Sequence, residues 1–600
     1  MCGIIGYVGT DRGDDAIEVL LDGLSQLEYR GYDSAGIALA DGGIAVHKRE
    51  GELSALESTL SPERFDGDSI GIGHTRWSTH GPPSDANAHP HTDAEERVAV
   101  VHNGIIENYQ SIRDELAAAG VAFRSETDTE VVPHLIAGFL DEGLDHEAAF
   151  RAAIDRLEGS YAIAAVFDGT ETVYAVRNES PLVLGVGDDG HFLASDVPAF
   201  IEYTDRVIYL DDGQFARLTP AELVVTDGDG RELEPSIETI SWDPDDAGKS
   251  GYDHYMRKEI NEQPAALREC FRGRLDELSG RIDVPELDEL GPVETVTFVA
   301  CGTSYHAAMF GARLLREQGI PAHAFLASEF GADVVPIDST SIVVGVTQSG
   351  ETADTMRAIR EANRAGATTV ALTNVVGSSA ARETDHVLYI RAGPEISVAA
   401  TKTFASQQAA LTMFAAAVTD RRSRDLVREL RAVPDRIQSI LDTSSAREIA
   451  ETYRGSGAYF FIGRGYHYPV ALEGALKMKE ITYEHAEGFA AGELKHGPLA
   501  LVSEETPVFA VATGDGPLAE KTIGNVKEVE ARGTPVVAVT DGRSDVGRYA
   551  DHVLEVPATS PVASSIVANV QLQLVAYWTA NELGRPIDKP RNLAKSVTVE

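Results

Sequence analysis

Apolar and polar positions change rhythm once along the chain. Through the first 240 residues, short alternating or continuous apolar runs predict strands at Gly3–Val8, Gly36–Ala40, Val98–Val101, Tyr161–Phe167 and Glu171–Arg177. Such runs suit half-buried or fully buried strands, and helical spacing at Ala16–Glu28 adds a helix among them. From about residue 290, each apolar strand runs into a Gly/Ser/Thr turn and then a helix. Thr295–Ala300 leads into CGTSYHAA, Ile342–Val346 into TQSGETADT and Thr369–Leu372 into TNVVGSSA. Strand, turn and helix in that order predict βαβ units around a parallel sheet.

The second rhythm occurs twice. GATTVALTN from Gly366 matches GTPVVAVTD from Gly533, and DHVLYI from Asp385 matches DHVLEV from Asp551. FVACGTSYH from Phe298 matches FFIGRGYHY from Phe460 in its apolar run and glycine position. Three matches in one order, about 160–167 residues apart, indicate duplication of one α/β domain. Between the two rhythms, the polar, Gly-containing stretch from Ser241 to about Pro264 turns helical and marks a linker. The expected division is therefore 1–240, a connection at 241–285, repeats at 286–430 and 450–588, and a tail at 589–600.

Composition narrows the class. No run of about 18 apolar residues exists, so no membrane-spanning helix is expected. The first twenty residues lack a basic segment, which argues against a signal peptide. Cys2, Cys270 and Cys301 are too scattered for a disulfide framework or a CxxC metal site, and a reducing, cytoplasmic setting follows. Lys+Arg is 51 against Asp+Glu 95, a net charge of −44, and no lysine occurs between Lys48 and Lys249. That surface repels nucleic acid and anionic membranes. It suits a salty cytosol, where a Debye length of about 3 Å at 1 M salt relieves carboxylate repulsion.

Cys2 is the first candidate for chemistry. If Met1 is removed, one residue carries both a thiol and an α-amine of pKa about 7.7–8, a base able to take the thiol proton. Position alone does not separate this from an inert cysteine beside the start. Other segments do. HNGIIENY sets Asn103 and Gly104 after an apolar strand, and an amide beside a Gly N–H meets the needs of an oxyanion hole. HTRWSTHG offers Arg76 for a carboxylate, and SETDTE offers Asp128 for an ammonium. Together they describe a site for an amino acid whose side-chain amide meets a thiolate. His74, His80, His89, His91 and His102 lack metal-ligand spacing and read as structural or substrate-loop residues.

CGIIGYVG, LEYRGYDSAG, GHTRWSTHG, NAHPH, HNGIIENY and SETDTE resemble the class II glutamine amidotransferases, a branch of the N-terminal-nucleophile hydrolases. The resemblance covers residues 2–240 and implies an αββα sandwich that hydrolyses glutamine. It implies Cys2 as nucleophile and base, with Asn103 and Gly104 as the oxyanion hole. Arg76, Thr79, His80, Gly104 and Asp128 would surround glutamine, and Trp77 matches a residue that gates ammonia passage. Trp77 is equally explained as a core aromatic.

In the repeats, CGTS and TQSGET lie at strand C-termini, where ligands bind in such sheets. Their hydroxyls and backbone N–H groups can hold a phosphate, although Ser and Thr also serve there as ordinary helix caps. Neither GxxxxGK[ST] nor a well-placed GxGxxG occurs, so nucleotide binding is not expected. In YPVALEGALKMKEITYEHAE, Lys477 and Glu480 share a helix face at i, i+3 spacing, suited to proton transfer between sugar carbons. GELKHGPLAL adds His496, and PRNLAKSVTVE carries Lys595. These segments resemble the SIS domains of the glutamine–fructose-6-phosphate aminotransferases, and the match spans nearly the whole chain.

That resemblance implies two doubly wound parallel-sheet domains behind the αββα sandwich. It also implies conversion of fructose 6-phosphate and glutamine to glucosamine 6-phosphate and glutamate, with ammonia passed internally and no cofactor or metal. By position, Thr303, Ser304, Thr347, Gln348, Ser349 and Thr352 would bind sugar phosphate, with Val398 and Ala594 close by. Glu480 would move the C1/C2 proton, Lys477 assist, His496 open the ring from a neighbouring subunit of a dimer, and Lys595 form a Schiff base. Two departures stand out: Thr347 replaces a common Ser and keeps the hydroxyl, whereas Ala400 replaces one and loses it. Alternatives are an amidotransferase with another acceptor, which would need an acidic diphosphate-binding motif, and a sugar-phosphate-sensing regulator, which would lack the Glu480–His496 set.

Overall fold

The computed structural model describes residues 2–10, 15–40, 42–60, 69–240, 249–291, 293–331 and 335–598. Two compact units emerge, Met1–Ala247 with Ala594–Glu600, and Gly248–Leu593. The opening of the expected linker, 241–248, lies outside the described residues.

The first unit stacks two antiparallel sheets. The larger has eight strands, with Gly3–Gly9 between Gly190–Ala194 and Ile70–Arg76. The smaller has six, with Val98–Ile106 between His91–Thr92 and Gly159–Phe167. Alternation along each strand builds the layers. Ile4, Val8, Ile70, Ile72, Ala99, Val101, Ala162 and Ala164 fill the space between the sheets. Their neighbours face outward onto helices. Ile5 and Tyr7 pack on Val19, Leu20 and Leu24 of Ala16–Leu27. Val98 and Val100 pack with Val131 and Leu135 of Val131–Asp141 and Phe150 of His146–Ile154. The expected αββα sandwich is what these faces produce.

The second unit holds two five-stranded parallel sheets of one topology. The first runs Ala322–Leu326, Thr295–Ala300, Ser341–Val346, Thr368–Thr373, His386–Tyr389. The second runs His485–Ala490, Ala458–Gly463, Val508–Val511, Val536–Thr540, His552–Glu555. In chain order both read 2-1-3-4-5, so the duplication seen in the sequence is a duplication of fold. That order reverses direction between the first and third strands, and the crevice at such a switch point is the usual ligand site. At the switch point of the first sheet, Cys301 leads straight into the helix Gly302–Glu317, so Thr303 and Ser304 stand in its first turn, and 347–352 forms the loop before Ala353–Arg364. Lys402–Val418 and Pro561–Glu582 are buried nearly all round, as helices inside a domain must be. One continuous apolar cluster, including Phe298, Phe404, Phe461 and Tyr577, runs through both repeats.

Candidate active site

In the first unit, the face between the sheets turns polar at one end. Cys2 follows the inward register of Ile4, His74 and Arg76 that of Ile70 and Ile72, Asn103 that of Ala99 and Val101, and Ser195 that of Leu193. Period two thus delivers five polar side chains to one place.

The half-buried Cys2 thiol sits against the chain at Trp77, whose N–H donates to Sγ at 3.2 Å while Sγ approaches the Trp77 carbonyl at 3.4 Å. Burial pushes the thiol above its ordinary pKa, against the pull of the Trp77 N–H and the Arg76 guanidinium. The resting group is a thiol and needs a base. Two donors hold the Cys2 carbonyl, Arg30 Nε at 3.1 Å and Asn103 Nδ2 at 2.9 Å. Asn103 Nδ2 also reaches Ser195 Oγ at 2.7 Å.

Asn103 and Gly104 lie within the strand Val98–Ile106, not beyond its end as the sequence suggested. Pairing with Gly159–Phe167 continues through them because position 104 is glycine. Its φ is +127°, and a Cβ there would meet the Ser160 carbonyl oxygen at 1.9 Å.

Arg76 is held by the His80 and Gly81 carbonyls through Nη2, and its buried Nη1 has no hydrogen-bond partner among the described residues. An unsatisfied buried guanidinium nitrogen is costly, and a substrate carboxylate would satisfy it. Asp128 is buried, accepts the Ile106 N–H at 2.9 Å, and pushes the Cys2 thiol pKa upward. Thr79 is exposed, and His80 is half-buried with its ring edge-on to Tyr109. Trp77 is half-buried and edge-on to Tyr32. His74, His89, His91 and His102 are buried and kept neutral chiefly by burial. They stack and hydrogen-bond, His74 on His89 at 4.2 Å and His102 Nδ1 to Thr129 at 2.8 Å.

In the second unit the two repeats meet at a buried polar cluster. Thr303 and His306, on the helix Gly302–Glu317, reach Glu473 on His467–Thr482 at 3.0 and 2.7 Å. Lys477 Nζ lies 3.5 Å from Glu473 and 2.5 Å from Glu480. Burial alone would depress the lysine, but Glu480 and Glu473 outweigh it and hold Lys477 above its ordinary value. Glu473, also fully buried, is held below its ordinary value because Lys477 and His306 overcome desolvation. The result is a desolvated, charge-compensated row that ends at Glu480.

The Thr352 hydroxyl does not act as an ordinary cap. Neither Cys301 nor Thr352 makes a side-chain cap bond to its helix. Ser304 accepts from Gln407 at 2.9 Å, and Thr347 pairs with Thr352 at 3.1 Å while accepting the Gly350 N–H at 3.1 Å. Ser349 accepts the Glu351 N–H, the Gln348 carbonyl accepts from Asn374 N–H, and the buried Val398 donates its N–H to the Asp588 carbonyl. His496 is exposed, and among the described residues no hydrogen bond joins its ring to Lys477 or Glu480. Ala594 and Lys595 group with the first unit.

A glutamine amidotransferase domain model matches residues 74–202, and a SIS domain model matches 289–417 and again 453–582. The glutamine–fructose-6-phosphate aminotransferase (isomerizing) of Halobacterium salinarum is 50% identical over 618 aligned residues, covering 100% of both chains. This chain belongs to that family. The aminotransferase of the same name from Thermus thermophilus is 45% identical over 613 residues, again covering 100% of each chain. A solved C-terminal domain of the Francisella tularensis aminotransferase superposes with a TM-score of 0.53 at 35% identity, covering 57% of this chain and 100% of that one.

For a member of the aminotransferase family, the structure adds residues that the motifs did not single out. Arg30 lies in LEYRGYDSAG, and Ser195 follows Leu193 by period two. Glu473 precedes Lys477 by four, one turn along the same face, and His306 follows Thr303 by three. Those spacings were visible, but which helix each face met was not.

Proposed function

We propose that this chain converts D-fructose 6-phosphate and L-glutamine to D-glucosamine 6-phosphate and L-glutamate, the entry step to amino sugars. With Met1 removed, the Cys2 α-amine takes the thiol proton, the thiolate attacks the glutamine amide carbon, ammonia leaves with the proton the amine returns, and water then cleaves the thioester to glutamate and restores the thiol. Asn103 and Gly104 stabilise the oxyanion. Arg76 binds the substrate α-carboxylate and Asp128 its ammonium, with Thr79 and His80 beside them. The ammonia released reacts with the open-chain sugar, and Trp77 gates its release.

At the sugar site, Thr303 and Ser304 in the first turn of their helix and the loop residues Thr347, Gln348, Ser349 and Thr352 bind the phosphate, near Val398 and Ala594. Glu480 carries the proton between C1 and C2, and Lys477 assists at oxygen. His496 opens the ring from a second copy of the chain, which makes the working unit a dimer, and Lys595 forms a Schiff base with the ketose. The setting is a salt-rich cytoplasm, supported by the net charge of −44 and the likeness to a Halobacterium salinarum protein. Neither nucleic acid nor membrane is a partner.

The observation that carries this reading is that one chain, alike over its whole length to those aminotransferases, keeps both an Asn103 amide bonded to the Cys2 carbonyl and an ion pair between a buried Lys477 and a half-buried Glu480. A sugar-phosphate sensor needs neither. Cys2→Ala tests it: glutamine-dependent synthesis should vanish, while synthesis from high ammonia persists. Glutamine-dependent synthesis by Cys2→Ala would refute the scheme.

A further inference from the structure

His74 Nε2 lies 3.0 Å from the His102 carbonyl oxygen and 3.1 Å from the nearer side-chain atom of Asn103. A backbone carbonyl only accepts, so His74 Nε2 carries the hydrogen. The Asn103 atom facing that hydrogen must then be Oδ1. The other end of the amide faces the Cys2 carbonyl at 2.9 Å, again an acceptor only, so that end must be Nδ2. Two backbone carbonyls thus fix one tautomer and one amide orientation. Ser195 Oγ at 2.7 Å completes the hold on Nδ2. His74 Nδ1 is buried with no hydrogen-bond partner among the described residues, and burial draws the ring's pKa down to about 3.

We propose that His74, as its Nε2–H tautomer, is a positioning residue for glutamine cleavage that keeps the N–H edge of Asn103 turned toward Cys2. This rests on the reading of Asn103 as an oxyanion donor. Were Nε2 bare, its lone pair would oppose both Oδ1 and the His102 carbonyl. The amide would gain by turning over, and its oxygen would then face the developing oxyanion. Losing one such donor lowers turnover by about 10²–10³-fold.

The test compares full-length variants in glutaminase kinetics and in glutamine binding. His74→Leu fills the volume without a donor; His74→Gln presents an N–H near the Nε2 position, and His74→Asn ends short of it. The expected result is a fall in kcat of about 10²-fold for Leu and Asn, KM for glutamine changed less than about threefold, and kcat recovered at least about tenfold by Gln. In the Asn103→Ala background, His74→Leu should slow turnover no further. Equal losses for Gln, Asn and Leu, a loss confined to KM, or full activity of His74→Leu beside an inactive Asn103→Ala would overturn the proposal. If His74→Leu fails to melt cooperatively, the Gln and Asn pair decides by the same criteria. An Asn103→Ala enzyme with undiminished glutaminase kcat would instead remove the oxyanion reading itself.

Discussion

The Lys477 ammonium and the Glu480 carboxylate meet at 2.5 Å, three residues apart on one helix, with the lysine 1% exposed and the glutamate 18% exposed. The lysine is a buried counter-ion and the glutamate is the member that reaches out of the protein. That asymmetry suits a proton carrier backed by a fixed charge.

The two residues should therefore fail differently. Glu480→Gln keeps the shape and leaves Lys477 paired with Glu473, so stability should change little while isomerisation falls by about 10²–10⁴-fold. Lys477→Met takes the ammonium from a fully buried Glu473, leaving it only Thr303 and His306, and should cost about 3–5 kcal/mol of stability as well as activity. Thermal unfolding read beside fructose 6-phosphate isomerisation separates the two.

Gly104→Ala should abolish glutaminase turnover. A methyl group there would have to displace the Ser160 carbonyl at a φ of +127°, and the strand pairing that carries Asn103 would shift. Synthesis from ammonia, assayed on the same preparation, should survive.

Acid should weaken the first unit through its histidines. The folded pKa of His74 is lowered to about 3 and that of His89 lies well below 6.5, both chiefly through burial. Unfolded histidines titrate near 6.5, so below that pH the unfolded chain binds more protons than the folded one. The stability these rings contribute is complete above about pH 6.5 and is lost as pH falls toward the folded values. His89→Phe should lower the proton uptake on unfolding, by up to one proton, as pH falls below 6.5, measured by unfolding across that range. An unchanged slope would contradict the assignment.

Low salt should loosen the chain. With a net charge of −44, carboxylate repulsion grows as the Debye length lengthens from about 3 Å at 1 M to about 10 Å at 0.1 M. The melting temperature should climb steadily with KCl. Full stability and activity at 0.1 M salt would count against a salt-adapted protein.

Much of this was legible in the chain because period and spacing are local. Alternation placed the strand Thr295–Ala300 to the residue and the other strands to within a few residues. The i, i+3 rule put Lys477 and Glu480 on one face. The strand Val98–Ile106 runs five residues past the end its apolar run predicts, since Asn103 and Gly104 resemble a turn until the partner strand is known. Glu473 escaped notice because its partners, Thr303 and His306, lie in the other repeat. Pairings across about 170 residues carry no local signature.

The central claim is that nitrogen leaving glutamine at Cys2 enters the sugar made at Glu480. Incubation of the enzyme with fructose 6-phosphate and amide-¹⁵N glutamine, in the presence of unlabelled ammonium, tests it by mass analysis of the product. The account predicts ¹⁵N in glucosamine 6-phosphate in step with glutamate formed. Label found only in free ammonia, with unlabelled or absent glucosamine 6-phosphate, would contradict it.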